Sequence, residues 1–411
     1  MPAALRSLST SCVVAGGGPA GMLAGVLLAR AGVPVVVLEK HGDFLRDFRG
    51  DTVHPSTLQV MADLGVLDAF LDRPHQRLDR LWGEIGETTV RVADFRHLPT
   101  AARFLALMPQ WEFLDFVAGL GRRYPTFEVR MKADVTDLVW DADGRAVGVR
   151  ATTPDGPLVV EADLVIGADG RRSTVRDRAG LAVEDLGAPM DVLWMRLGRR
   201  PDDPQPPLGR IQRGSMFIAL PRDGYYQCGY VVPKGAAEDI RAAGLDAFRT
   251  AIGEAAPLLR DRTDALATWD DVKLLTVAVD RLTRWARPGL LCIGDAAHAM
   301  SPVGGVGINV ALQDAVAAAN LLHGPLARGT PTLAELDRVQ ARRAFAVRMT
   351  QRVQVALQNR VIGPTLAGAG PLRVPWPARV LSAVPWLQRL PARFVGMGPR
   401  MERVASPDAF A

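Results

Sequence analysis

The first forty residues switch between two hydrophobic periods. Cys12-Val13-Val14-Ala15 is an apolar run of strand length, whereas Met22, Leu23, Val26, Leu27 and Ala29 recur at helical spacing up to about Arg30. After Pro34, Val35-Val36-Val37-Leu38 is a second buried strand, and it ends in Glu39. Gly16, Gly17, Gly18 and Gly21 break what is otherwise an uncharged run from Ser7 to Ala29. The stretch is therefore read as strand, turn, helix and strand of a soluble domain, not as a signal peptide or membrane anchor. From Val129 the pattern turns hairpin-rich, with Asp143-Gly144 and Asp155-Gly156 between alternating runs such as Ala146-Val147-Gly148-Val149. Short strands are expected at 193–197, 211–220 and 225–232, separated by loops such as the proline-rich 201–207. Another strand covers 289–293, followed by an apolar helix to about Leu322. Residues 332 to about 360 predict a long helix with Arg338, Arg342, Arg343, Arg348 and Arg352 on a solvated face. The stretch 374–394 is apolar and basic, with Trp376, Trp386 and repeated proline breaks, a composition that suits short helices docked on a core and, as the alternative, peripheral membrane contact.

At 411 residues the chain has room for two or three structural units, and 48% hydrophobic with 23% charged residues is globular composition. The 49 basic and 44 acidic residues are interspersed along the chain, so the net charge of +5 gives no footprint for nucleic acid. Cys12, Cys228 and Cys292 are odd in number and widely spaced, which offers neither a disulfide framework nor a metal site and points to the reducing cytoplasm.

Candidate chemistry lies in three loops, each following a strand. Gly16-x-Gly18-x-x-Gly21 opens the first helix, where glycines permit a tight turn, close approach of a pyrophosphate and close helix packing; Glu39 at the next strand end is placed for ribose hydroxyls. The second loop, Asp169-Gly170 followed by Arg171, Arg172, Ser173 and Arg176, is open to two readings: a ligand loop, or a helix cap with a solvated basic turn. The third runs from Gly294-Asp295 through His298, Pro302, Gly304, Gly305 and Gly307 to Ile308-Asn309. Asp295 there suits hydroxyls of a polyol chain, and the glycines let backbone N–H groups approach a planar ring at a helix N-terminus. His298 is read as structural.

In this order and spacing the three loops resemble, over about residues 10 to 325, the flavin-dependent monooxygenases of the para-hydroxybenzoate hydroxylase fold, the single-component aromatic hydroxylases. The resemblance implies an α/β architecture in which a Rossmann-like FAD-binding domain (1–72, 107–186 and 273–325) interleaves with an antiparallel-sheet substrate domain (73–106 and 187–272). A helical C-terminal segment (326–411) follows. It implies FAD as cofactor and NADH or NADPH as co-substrate. Gly16, Gly18 and Gly21, with Pro19 and Ala20, would receive the pyrophosphate; Glu39, with Lys40 beside it, the adenosine ribose; and the Val135 backbone the adenine edge. Arg49, with Arg46 as a competitor, would lie beside the flavin, and Gln110 near the phosphate or ribityl region. Asp169 would serve both FAD and pyridine nucleotide, and Asp295 the ribityl chain. Pro302 would flank the active face of the flavin, with Gly305, Gly307, Ile308 and Asn309 supplying N–H groups to its pyrimidine edge. The implied reaction uses O2 to hydroxylate or epoxidise an aromatic or polycyclic small molecule through a flavin C4a-hydroperoxide. A halogenase, an isoprenoid-type reductase or a non-catalytic flavin-binding protein on the same scaffold are the alternatives. Gln212, Arg213, Met216 and Tyr225 are pocket candidates on the substrate side, and alternation leaves open which face of 225–230 sees the flavin. The expected assembly is a monomer or homodimer without membrane contact.

Overall fold

The computed structural model describes residues 6–45, 52–203, 209–368 and 374–411. Five strands among them run parallel in the order Leu290–Cys292, Gly156–Gly167, Arg6–Ala15, Val35–Glu39 and Phe127–Met131. The first strand is longer than the expected 12–15. Its polar start pairs with the first half of Gly156–Gly167, from Arg6 opposite Leu158 to Thr10 opposite Ala162, so backbone pairing carries a stretch that lacks an apolar pattern. The helix Pro19–Arg30 is buried along nearly its whole length, which explains why its apolar residues fill more than one stripe.

Seven strands form the second sheet, in the order Lys273–Leu275, Met190–Gly198, Tyr225–Pro233, Ser215–Pro221, Gly209–Gln212, Arg80–Ile85 and Thr88–Asp94. Neighbours are antiparallel except Gly209–Gln212 beside Arg80–Ile85. The single strand expected at 211–220 is in fact two. Gln212 pairs with Ser215, so Arg213-Gly214 is a two-residue hairpin turn, with Gly214 at φ +78°. One face of this sheet packs Leu193, Met195, Phe217, Tyr226 and Cys228 against Phe248 and Ile252 of the helix Leu245–Ala255. The other packs Val192 and Val231, with Trp194, Met216 and Ile218, in a cluster that also takes in Val303 and Ile362.

The helix Gly307–Ala327 belongs to the core of the first unit. By length and composition the segment Val303–Ala327 could cross a membrane, but 72% of its apolar window is buried in protein. Thr332 and Glu335 form a capping box that starts the helix Leu333–Leu357. Arg343 on that helix departs from the expected solvated face, being only 1% exposed. Two short helices, Trp376–Ala383 and Arg389–Met397, lie on the strand Thr88–Asp94, where Arg91 N–H donates to Ser382 Oγ at 3.1 Å. After Gly398 the chain runs back over the first unit. Glu402 N–H donates to Gln313 Oε1, Arg403 pairs with Asp63 at 2.6 Å, and Asn320 Oδ1 accepts from Ala405 and Ser406. Arg30 reaches the Ser406 carbonyl at 2.7 Å and Asp408 at 3.2 Å, and Ala409 N–H returns to the Arg30 carbonyl.

Candidate cofactor and active site

Parallel strands bring their C-terminal ends to one edge of the sheet, and all three glycine-rich loops leave from that edge. Gly16 has φ +103°, and a Cβ there would lie 2.5 Å from the Ala168 carbonyl oxygen, so the first loop abuts the second. A Cβ on Gly21 would lie 2.0 Å from the Gly16 carbonyl oxygen, which enforces close packing of the helix start. Gly18 is different: a Cβ there meets nothing within 4 Å. Its missing side chain leaves open space directly before a helix that no side chain caps and that begins with Pro19 and the buried Ala20. Unpaired helix N–H groups at such a cradle suit a phosphate group.

Glu39 is buried at the next strand end and accepts Gly17 N–H on Oε2 and His41 N–H on Oε1, each at 2.9 Å. A carboxylate at the end of this strand suits a ribose hydroxyl. Ala133 N–H donates to the Glu39 carbonyl, which sets the buried Val135, two residues on, beside the same strand end. Lys40 is exposed, and Arg46 and Arg49 lie outside the described residues.

The Asp169 carboxylate accepts the Ser173 hydroxyl and, at 3.1 Å, Val175 N–H, so it caps the short helix that follows. Burial nevertheless raises its pKa above the ordinary value, against those hydrogen bonds. Asp295 in the third loop pairs with Arg171 at 3.1 Å and ties the second loop to the third. Arg171 is thus a member of the site that the sequence offered only as a basic turn. Gly294, at φ +60°, packs where a Cβ would lie 3.0 Å from Ala20 and 3.2 Å from Ala311. The starts of the two long helices therefore meet at this loop.

Pro302 accepts Gly305 N–H at 3.0 Å, and Gly305 sits against Thr52, whose hydroxyl donates to its carbonyl at 3.1 Å. A Cβ on Gly305 would lie 2.7 Å from Thr52 Oγ1. Gly307 and Ile308 begin the third-loop helix, which also has no side-chain cap. The Asn309 side chain is committed to protein: Oδ1 accepts His54 N–H at 2.9 Å and the Thr57 hydroxyl at 2.7 Å, and Nδ2 donates to the Thr52 carbonyl. Thr52 pairs with Leu107, and Gln110 three residues further opens the helix Gln110–Gly121 on the same side. His54 is buried, and its Nδ1–H donates to the Val395 carbonyl at 2.7 Å. Burial lowers its pKa to about 4.

Behind the third loop lies a buried charge network. His298 Nε2–H donates to Asp314 Oδ2 at 2.6 Å, Arg343 Nε–H donates to Asp314 Oδ1 at 2.9 Å, and Gly294 N–H reaches Asp314 Oδ2 at 3.2 Å. Arg343 also meets Glu402 at 3.4 Å. Burial would push the Asp314 carboxyl up, but the His298 and Arg343 partners outweigh it and hold it below its usual range. His298 thus has the structural place expected of it.

On the substrate side, register places Met216 on the sheet face that shares a cluster with Val303 of the third loop, while Tyr226, Cys228 and Tyr230 pack on the opposite face. Gln212 pairs with Ser215 and so falls on that opposite face, and Arg213 in the hairpin turn donates to the Gly368 carbonyl at 3.2 Å. Tyr225 shares the Met216 face at the end of its strand, under the Arg196 guanidinium at 5.1 Å. Trp194, absent from the sequence-based candidates, lies flat over Gly229 on this face, 3.1 Å from where a Cβ would sit. No group of residues among those described could hold a metal ion.

A family model described as FAD binding domain matches residues 9–353. The chain belongs to that FAD-binding family. It is 34% identical over 402 residues to 6-methylpretetramide 4-monooxygenase of Streptomyces rimosus, covering 97% of this chain and 94% of that protein. A second relative, dialkyldecalin synthase of Streptomyces rugosporus, is 26% identical over 75% of this chain, and the match spans 64% of that protein's length. Among solved structures, p-nitrophenol 4-monooxygenase PnpA from Pseudomonas putida DLL-E4 shares the fold, with a TM-score of 0.77 at 20% identity over 96% of this chain and 100% of that one. FAD is the cofactor of this flavoprotein, and the open cradle at Gly18 between two uncapped helix starts fits it.

Proposed function

We propose that this flavoprotein is a NAD(P)H-dependent monooxygenase that hydroxylates a planar, polycyclic aromatic compound with O2, and that it works in the cytoplasm. The observation that carries the reading is the convergence of the three loops, through Gly16 on Ala168, Arg171 on Asp295 and Gly294 on Ala20 and Ala311. The near full-length likeness to a pretetramide monooxygenase supports the substrate class. Three buried, unpaired cysteines, whose thiols burial holds protonated, support the reducing compartment.

Bound FAD supplies the redox chemistry, namely two-electron reduction by a nicotinamide and activation of O2. The chain's own residues do the holding. Gly16, Gly18 and Gly21 with the N–H groups after Pro19 take the pyrophosphate, Glu39 the ribose hydroxyls, and the Val135 backbone the adenine edge. Asp295, oriented by Arg171, takes the polyol chain, with Gln110 on the same side. Backbone N–H groups at Gly307, Ile308 and Asn309 face the ring system, where a helix N-terminus favours negative charge, while Gly305, whose N–H is held by the Pro302 carbonyl, shapes the turn before them. Pro302 and Val303 border the substrate space, and Trp194, Met216 and Ile218 form its apolar roof and exclude water.

The test is turnover of the FAD-loaded protein with planar polycyclic phenols under 18O2. The expected result is NAD(P)H oxidation stimulated by the phenol and one labelled oxygen atom in the product. The dialkyldecalin synthase relative makes the opposing outcome concrete: a product isomeric with its substrate, with no label and no nicotinamide consumed, refutes the reading.

A further inference from the structure

From Arg338 to Met401 the chain holds eleven arginines and neither an aspartate nor a glutamate, in a protein whose charges are elsewhere mixed. Part of that stretch is exposed on two short helices that both pack on the strand Thr88–Asp94. On the helix Trp376–Ala383, Trp376, Arg379, Val380 and Ala383 follow helical spacing and all are exposed. After Val384 the spacing repeats with Trp386, Arg389, Leu390 and Arg393, again all exposed. Trp376 is 76% exposed, Trp386 62% and Leu390 61%. The sequence left two readings for this stretch, short helices docked on the core or peripheral membrane contact; in the structure the helix Arg389–Met397 is the one with buried residues. Ala392 and Gly396 are buried on the helix Arg389–Met397, and a Cβ on Gly396 would lie 2.7 Å from Leu98, so this contact with the core is closely fitted while Trp376, Trp386 and Leu390 are left to solvent. Among the described residues Arg379, Arg389 and Arg393 form no ion pair.

We propose that this face docks on an anionic phospholipid bilayer. Tryptophan with arginine beside it is the pairing that settles at the headgroup level, where the indole is half in hydrocarbon and the guanidinium meets phosphate. The proline breaks keep each helix at eight or nine residues, far short of the roughly 20 that span a bilayer, so the face lies in the interface plane. A second copy of the same face would set arginines against arginines, which disfavours self-association through it. The inference stands apart from the reaction proposed above, because neither helix supplies a group to the cofactor cradle.

The experiment is flotation of the FAD-loaded full chain with vesicles of phosphatidylcholine alone or with about one-third phosphatidylglycerol, read also by tryptophan emission. Binding to the anionic vesicles with a blue shift is expected at 0.1 M salt, with loss of binding at 0.5 M salt. At about fivefold per arginine near a charged surface, R389Q/R393Q weakens binding about 25-fold. W376A/W386A abolishes the blue shift from this face, and both variants keep bound FAD. Absence of flotation with anionic vesicles overturns the proposal, as does equal binding to neutral ones. Dimerisation lost in W376A/W386A, or salt-sensitive binding to polyglutamate without vesicle binding, reassigns the face to a protein partner and also overturns it.

Discussion

Replacing Arg343 by methionine tests whether the buried charge network holds the third loop. The substitution roughly preserves volume but removes the guanidinium that donates to Asp314 at 2.9 Å and meets Glu402 at 3.4 Å. Asp314 is completely buried and keeps only His298 and the Gly294 N–H, while Glu402, 4% exposed, keeps Arg342. Breaking a buried pair from one side costs about 3–5 kcal/mol, because the remaining charge stays desolvated. With an unfolding entropy of about 2.1 cal/mol/K per residue, the chain length converts about 4 kcal/mol into a fall in Tm of about 5 °C. Calorimetry on the FAD-loaded protein measures this, and release of bound FAD, followed by its fluorescence, should move with it because Asp314 also holds Gly294 beside Asp295. In a double-mutant cycle with Asp314→Asn, the two losses should fall short of additivity by about 2 kcal/mol. The network also carries an acid limit. The folded-state pKa of Asp314 is lowered, so its contribution is complete above the ordinary carboxyl range and is lost as pH falls below about 4. An Arg343→Met protein melting within 1 °C of the parent would refute this account.

Three further outcomes follow from the site. Gly16→Ala must place a Cβ 2.5 Å from a backbone oxygen at φ +103° and should destabilise the fold, whereas Gly18→Ala meets no protein atom and should fold normally yet bind FAD at least tenfold more weakly; equal FAD affinity for Gly18→Ala and the parent, by fluorescence titration, contradicts the cradle. His54, lowered to about 4 from 6.5 by burial, binds fewer protons folded than unfolded, so stability should decline by up to about 3 kcal/mol as pH drops from 6.5 to about 4. In His54→Asn that slope should flatten in urea titrations; an unchanged slope removes His54 as its source. Arg171→Met, at a partly exposed pair, should alter stability by under about 1 kcal/mol but weaken FAD binding about tenfold by releasing Asp295, and unaltered binding would make the pair merely structural.

The cofactor half was legible because backbone geometry demands particular residues there. Gly16 and Gly294 need positive φ, Gly21 needs the absence of a Cβ, and Glu39 stands at a strand end, all of which are written in local sequence. What was illegible depended on partners distant along the chain. Arg343 looks like one of five solvated arginines until Asp314 and Glu402, 29 and 59 residues away, arrive beside it. The same holds for Met216 and Gln212. Both suit a half-buried strand, and the turn at Arg213-Gly214, which splits one expected strand into two, decides which faces the third loop. Asp169 shows the reverse case, since its capping of the following helix was one of two readings open in the sequence and is visible in the structure.

The tethering of Arg30 to Ser406, Asp408 and Ala409 has a consequence for synthesis in the cell. The helix Pro19–Arg30 is made well before the residues that clasp its far end, which follow nearly four hundred positions later. The chain must therefore be made through residue 409 before this half of the molecule can lock, and a nascent chain stalled short of residue 402 would carry an unclasped first helix.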